Sequence, residues 1–205
     1  MIARILERPW FYELSQRNIL TAGMRRIVLA LLRREGANGA VERVVEVGCG
    51  TGLYLSALSP TVFGTDLSVA YVRFLKGKGL RVFASDACAL AIRSGSVGLV
   101  YCINVLHHLD DEAVRAVLGE MWRVCRPEGT LVVVDIVQPP AHGNHLGRLL
   151  RWLDRGGFVR QCEHFKALIQ AWADAVTEDV VFMDLHSYPQ DALIGIVRKR
   201  SATRA

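Results

Sequence analysis

Three glycines crowd five positions in Glu46-Val47-Gly48-Cys49-Gly50-Thr51-Gly52, directly after a run of valines. Glycine lacks a Cβ, so the chain can take positive φ there and a ligand can approach the main chain closely. A turn of this kind between a strand and a helix aims backbone N–H groups at whatever lies beyond the strand's carboxyl end. Spacing narrows the ligand. A dinucleotide fingerprint, GxGxxG, needs a glycine where Leu53 stands, and no GK[ST] follows to make a phosphate-cradling loop. Further along, His107 and His108 follow an apolar run. Histidines at a strand's ligand-facing end are candidates for general base catalysis near neutral pH.

These residues must be held by elements, and the chain alternates between two types. Apolar, β-branched runs at 43–47, 61–65, 80–84, 97–103 and 130–137 read as strands, with helix-suited stretches between them. The clearest helix covers 111–125. Val114, Val117, Leu118, Met121, Trp122 and Cys125 make its apolar stripe, Asp110 can cap it, and "RPEG" stops it. Apolar strands separated by helices predict a parallel sheet covered on both faces. Two more strands near 179–184 and 192–198, separated by "HSYPQ", suit an antiparallel hairpin. The predicted fold is α/β: a Rossmann-like, doubly wound, seven-stranded, mostly parallel sheet with an antiparallel C-terminal hairpin strand and added N-terminal helices.

No Gly-, Ser- or Pro-rich linker divides the chain, so residues 1–205 read as one domain. Its parts are a helical cap at 1–40, a core at 41–137, an acceptor-shaping segment at 138–177 and a hairpin at 178–199. The formal charge of +5 is concentrated in Arg198, Lys199, Arg200 and Arg204, within eight residues that hold no acid. That pattern reads as a solvated tail, which argues against a nucleic-acid-binding face. Five scattered cysteines without a CxxC pair suit a reducing cytosol. No run is apolar enough to make a good membrane span. His142, His145 and Asp135 can be drawn as metal ligands, but the intervening Pro and Gly give no regular ligand geometry, so no metal is expected.

Taken together, the motifs resemble those of the class I S-adenosylmethionine-dependent methyltransferases, in the branch acting on small molecules. The resemblance rests on "EVGCGTG", "GTDLS" at the second strand's end, "SDA" at the third, "CINVLHHLDD" at the fourth and "RVCRPEGTLVVVD" leading into the fifth. It covers roughly residues 42–137 in order. It implies S-adenosylmethionine as cofactor, held by Glu46, Gly48, Cys49, Gly50, Gly52, Asp66, Leu67, Asp86, Ala87, Asn104 and Val105. One ionised carboxylate, Asp66, suits two adjacent ribose hydroxyls, and the Asp86 carboxylate with the Ala87 N–H complements adenine's amine and ring nitrogen. Each also has a plainer reading: Asp66 as a helix cap, Asp86 as a loop carboxylate, Glu46 as a buried structural acid.

Transfer from a sulfonium asks mainly for positioning, and a base only where the acceptor is protonated. His107 and His108 are the base candidates, with cofactor lining and packing as the alternatives. Trp10, Tyr12, His142 and His164 are candidate walls of an acceptor pocket for a flat or apolar small molecule, as expected of an enzyme of small-molecule or natural-product biosynthesis. A nucleic-acid amino-methyltransferase would carry an Asn/Asp-Pro-Pro-aromatic stretch after strand four, where this chain reads Asn104-Val105-Leu106-His107. An RNA or protein methyltransferase and a catalytically idle cofactor-binding module remain as alternatives, and the oligomeric state is open. "DAVTED" stands where the family often has a glycine-aromatic turn before strand six, a departure that loosens any subfamily assignment.

Overall fold

The computed structural model describes residues 19–36, 43–58, 62–139, 144–153 and 157–201. Seven strands form one sheet: β1 (Val44–Val47), β2 (Val62–Asp66), β3 (Val82–Ala84), β4 (Val97–Ile103), β5 (Cys125–Ile136), β6 (Val180–Ser187) and β7 (Gln190–Arg198). Their spatial order is β3-β2-β1-β4-β5-β7-β6. Strands β1 to β5 are parallel, and β7 runs antiparallel between β5 and β6. Among the described residues five helices surround the sheet: α1 (Ile19–Gly36), α2 (Val69–Gly77), α3 (Asp111–Val124), α4 (His145–Leu153) and α5 (Cys162–Ala175).

The pleat sorts the core into two layers, because successive side chains point to opposite faces. On one face Val44, Tyr101, Val132, Val134 and Ile194 pack with Met24, Val28 and Leu32 of α1 and Val72 and Leu75 of α2. On the other, Val45, Val47, Val100, Leu131 and Val133 meet Val114, Leu118 and Met121 of α3 and Phe165 and Ile169 of α5. Both faces are covered, and every residue of β4 is buried. Asp110 caps α3 by accepting the Ala113 N–H at 2.9 Å, with Asp111 and Glu112 at the positive end of the helix.

The order reverses at β1, whose neighbours are β2 and β4. Connections therefore leave the β1/β4 pair in opposite directions, which opens a crevice at their carboxyl ends. The candidate site residues gather around that crevice.

Three expectations are corrected. The glycine turn does not lead into an α-helix among the described residues; a single 3-10 turn, Leu55–Ala57, follows it, and the stretch between β3 and β4 is likewise turns. Both connections are short, and the first holds Pro60. Second, β5 begins at Cys125, and "RPEG" is a bulge inside it: pairing with β4 skips from Cys125 to Thr130, with Glu128 at φ 64°.

Third, the C-terminal cations Arg198, Lys199 and Arg200 are anchored to the domain, although Arg198 and Arg200 remain exposed. Arg198 bonds buried Glu35 at 2.9 and 3.0 Å, Lys199 Nζ donates to the Trp122 and Cys125 carbonyls at 2.9 Å, and Arg200 bonds Asp179 at 2.7 Å. Arg204, Trp10, Tyr12, His142 and the N-terminal part of the helical cap lie outside the described residues.

The two-layer core makes a direct prediction. Leu118 is fully buried between α3 and the sheet, so Leu118→Ala should lower unfolding free energy by about 3 kcal/mol in urea titration. A loss below about 1 kcal/mol would mean that α3 is not packed as described.

Candidate active site

All three motif glycines have positive φ: 70° at Gly48, 51° at Gly50 and 75° at Gly52. They serve different ends. A Cβ on Gly48 would lie 2.5 Å from a Val105 methyl, and one on Gly52 would lie 2.8 Å from Leu75, so protein side chains take up that space. At Gly50 nothing lies within 4 Å. Only there does the bare backbone face open space. Cys49 faces inward, its thiol against Gly64 and its N–H bonded to the Thr65 carbonyl at 2.8 Å. Burial pushes that thiol well above the usual range, so it stays protonated and is no nucleophile.

Asp66, at the end of β2, accepts the Gly50 N–H and the Ser68 N–H, each at 2.8 Å and each on a different oxygen. The helix cap is Ser68, whose Oγ accepts the Tyr71 N–H at 3.4 Å. Asp66 thus locks the glycine turn, and each carboxylate oxygen keeps lone-pair capacity for a hydroxyl donor. Next to it Leu67 is 73% exposed, an apolar side chain standing open at the crevice. On the neighbouring strand Ser85 N–H bonds the Asp66 carbonyl at 3.1 Å, which brings Asp86 and half-buried Ala87 alongside. Asp86 is exposed and its Oδ1 accepts the Cys88 N–H at 2.8 Å.

Glu46 lies in the layer between the sheet and α1, only 2% exposed, and accepts the Tyr101 hydroxyl at 3.2 Å. Burial is the chief cause that pushes its carboxyl up to about 8, with the Tyr101 bond acting the other way. It is therefore protonated at neutral pH in this state.

At the end of β4, Asn104 has φ 55° and its Oδ1 is buried without a hydrogen-bond partner. Val105 covers Gly48, and a 3-10 turn, Leu106–His108, carries the two histidines. They differ sharply. His108 is exposed, whereas His107 is 5% exposed and its Nδ1 lies 2.6 Å from Asp135 Oδ1. The His107 backbone N–H also donates to Asp135 Oδ2 at 3.0 Å. Nδ1 therefore carries the proton of the neutral ring, assigned from this bond, and Nε2 is its basic nitrogen.

Sequence reasoning did not assign Asp135 to this role, although a lone acid at the end of the valine run "VVVDI" was its signal. His107, Asp135, Ile136, Phe158, Arg160 and Phe165 line a shallow depression too tight to hold a water molecule.

Arg160 had no sequence signal at all. Buried at 7% exposure, it donates to the Leu106, Phe158 and Leu109 carbonyls at 3.0, 3.1 and 2.7 Å and to Asp111 at 2.8 Å. With Phe158 N–H on the His107 carbonyl at 3.0 Å, the strap 158–160 is stitched to the histidine turn. His164 is not brought to this depression; it sits on α5, 56% exposed, with Nε2 2.9 Å from Asp111 Oδ2. That bond first, and Arg160 second, hold the Asp111 carboxyl below its usual range. Among the described residues, no group of three or more His, Cys, Asp or Glu is arranged to hold a metal ion.

Glycine turn and strand-end acids gather at the carboxyl ends of the parallel strands, and residues 45–133 match the family described as a methyltransferase domain. Over these residues the chain is similar to the class I, S-adenosylmethionine-dependent methyltransferase domains. S-adenosylmethionine is the cofactor of such domains. The tRNA (carboxymethyluridine(34)-5-O)-methyltransferase ALKBH8 of Macaca fascicularis is 34% identical over 92 residues, 44% of this chain and 14% of that protein. The probable tRNA methyltransferase 9B of Mus musculus is 32% identical over 93 residues, 44% of this chain and 21% of that protein.

The chain thus spans about a seventh to a fifth of the length of these curated relatives. Among solved structures, the methyltransferase domain of bacterial CtHen1-CN superposes with a TM-score of 0.69 at 19% identity, over 87% of this chain and 99% of that one. Phosphoethanolamine N-methyltransferase 2 of Haemonchus contortus, in complex with S-adenosyl-L-methionine, gives 0.65 at 14% identity, over 86% of this chain and 53% of that one. These likenesses show the fold of the methyltransferase domain.

The buried acid of this domain has a pH signature. Glu46 holds a proton in the folded chain that the unfolded chain releases above the ordinary value of 4.5. Stability should therefore fall as pH rises from about 4.5 towards 8 and level off beyond. Glu46→Gln removes that component. Its stability relative to the native chain should climb by a few kcal/mol across this window, measured as urea midpoints at each pH. Parallel pH profiles would show that Glu46 ionises freely.

Proposed function

We propose that this chain transfers the methyl group of S-adenosylmethionine to an O, N or C nucleophile of a small molecule, with His107 as the base where the acceptor needs one. The observation that carries the reading is the Asp66 lock on Gly50: a carboxylate with spare lone pairs beside a bare, left-handed glycine over open space. The orphaned Asn104 Oδ1 is a second mark of fit, a buried acceptor that lacks a donor in the protein. Bound in the crevice, the cofactor supplies an activated methyl group whose departure leaves a neutral thioether.

The chain's own residues do the rest. Asp66 accepts the ribose hydroxyls, Asp86 and the Ala87 N–H take the adenine edge, and Leu67 and Val105 line the base. Asn104 Oδ1 accepts from the ammonium, and Glu46 steadies the turn from beneath. His107 Nε2 removes a proton from a hydroxyl or carbon acid, and Asp135 stabilises the imidazolium that forms. An amine that is already neutral needs only positioning.

The strap 158–160 seated on the histidine turn supports assigning 138–177 to the acceptor and the core to the cofactor. Free cysteines support a reducing cytosol as the place of work, and no described helix is long and apolar enough to cross a membrane.

A second reading, transfer to RNA, is favoured by the two curated relatives named as tRNA methyltransferases. Against it, the C-terminal cations Arg198 and Lys199 sit at the end of β7, the sheet edge away from the crevice, and are engaged in protein contacts.

Calorimetric titration with S-adenosylmethionine should show binding at sub-millimolar concentration, weakened at least about tenfold in Asp66→Ala. A flat trace for the native chain would sink the assignment. Labelled methyl groups should enter a small-molecule extract, and label in tRNA instead would favour the second reading. With an oxygen or carbon acceptor, His107→Ala should cut turnover by about 10²-fold or more and Asp135→Asn by a similar factor. Unchanged turnover in both would remove the base.

A further inference from the structure

The connection from β3 to β4, residues 85–96, holds no helix, so no helical ladder fixes the Asp86–Ala87 edge within it. Its shape is imposed from α3. Arg123, at the end of that helix, donates to the Leu90 and Ile92 carbonyls and to Ser94 Oγ, each at 2.9 Å. Glu120, one turn earlier, accepts the Leu90 N–H at 2.6 Å and holds the guanidinium through both of its oxygens, at 2.7 and 2.8 Å. A guanidinium gripped in this forked way has a fixed plane, so its remaining donors point in set directions. The Arg123 and Val124 carbonyls accept the Gly95 and Ser96 N–H groups at 2.9 Å, which closes the far end of the same loop.

The grip reaches the candidate nucleoside site through Leu90. Both of its backbone groups are held by the pair, and its side chain is buried. One residue back, Ala89 is bridged to Asp86, its N–H on the Asp86 carbonyl at 3.1 Å. Ser85 Oγ accepts the Ala91 N–H at 3.0 Å and draws the two limbs of the loop together. Asp86 and Ala87 therefore sit in a tight ring of backbone whose far rim is fixed by α3. The Glu120 side chain is 19% exposed and that of Arg123 36% exposed. Ion pairs this close to solvent add little stability. What these directional bonds set is the place of the loop.

We propose that Glu120 and Arg123 are positioning residues for the nucleoside base: they hold the Asp86 carboxylate and the Ala87 N–H at the spacing that separates adenine from its deaminated form. The inference rests on the cofactor reading above. Adenine presents an amine donor and a bare ring nitrogen to that edge. The deaminated base presents a keto oxygen and a ring N–H, so acceptor meets acceptor and donor meets donor. A fixed edge rejects this mismatch, and a loose one shifts to accommodate it.

The test is calorimetric titration with S-adenosylmethionine and with its inosine analogue, in the native chain, Arg123→Met, Arg123→Lys and Leu118→Ala. The native chain should prefer the adenine form by about tenfold or more. Arg123→Met should bring the two ligands within about threefold of each other, and Arg123→Lys, which keeps the charge and reaches fewer carbonyls, should restore part of the preference. Leu118→Ala destabilises α3 but removes no hydrogen bond to the loop, so its preference should stay native. Full preference in Arg123→Met, or an equal loss of it in Leu118→Ala, overturns the proposal. Should Arg123→Met fail to fold, Glu120→Gln carries the same prediction, since it breaks the charge pair at unchanged size. If the native chain binds neither ligand, the cofactor reading fails first. If it binds both equally, the Asp86–Ala87 edge does not read the base, and the proposal falls while the cofactor reading stands.

Discussion

The hydrogen bond from the Gly50 N–H to Asp66 joins two strand ends that are neighbours in the sheet but sixteen residues apart in the chain. Beside the Cys49 N–H bond to the Thr65 carbonyl and the Gly52 N–H bond to the Cys49 carbonyl, it is the side-chain contact that fixes the middle of the turn. With it, the turn has one shape, and that shape leaves a bare backbone facing the crevice. Gly48 and Gly52 are glycines for an inward reason, since Val105 and Leu75 lie where their side chains would be. The Val105 contact is the more consequential of the two because it bridges β1 and β4, the pair at which the sheet order reverses. The glycine turn and the end of β4 are therefore registered to each other through one methyl group on one bare Cα.

The histidine turn is organised by buried charge. Asp135 stands at the end of a strand with no other ionisable residue among its inner positions and grips both the ring and the backbone of His107. Arg160 spreads its donors over the carbonyls of the same turn and its flank. Buried ions are costly unless every polar atom is matched. Here the matching is what makes the strap 158–160 and the histidine turn a single unit. Arg160 has no donor to spare for an acceptor molecule, so its part is architectural, whereas the His107 ring borders the depression itself.

A different logic holds beneath the turn. Glu46 is buried among Tyr101, Tyr54 and apolar side chains, and desolvation keeps it neutral. Asn104 beside the crevice retains an unsatisfied buried atom.

Periodicity and residue type were enough to read the seven strands, helix α3, the helical segment in which α1 lies, and the placing of the motif residues at strand ends. These are local properties: β-branched runs, apolar stripes, capping acids and glycines each act over a few positions. The antiparallel place of β7 was legible too, because "HSYPQ" is too short for a crossover. What the sequence could not show was which side chains meet across distance. Asp135 reaching His107 spans twenty-eight residues, Arg160 reaching Leu106 spans fifty-four, and Arg198 reaching Glu35 spans one hundred and sixty-three. Such pairings have no periodic trace. They are set by how the strands order themselves and how helices lie across them, so it took the tertiary structure to separate the buried histidine from its exposed neighbour and to turn a basic tail into anchored cations.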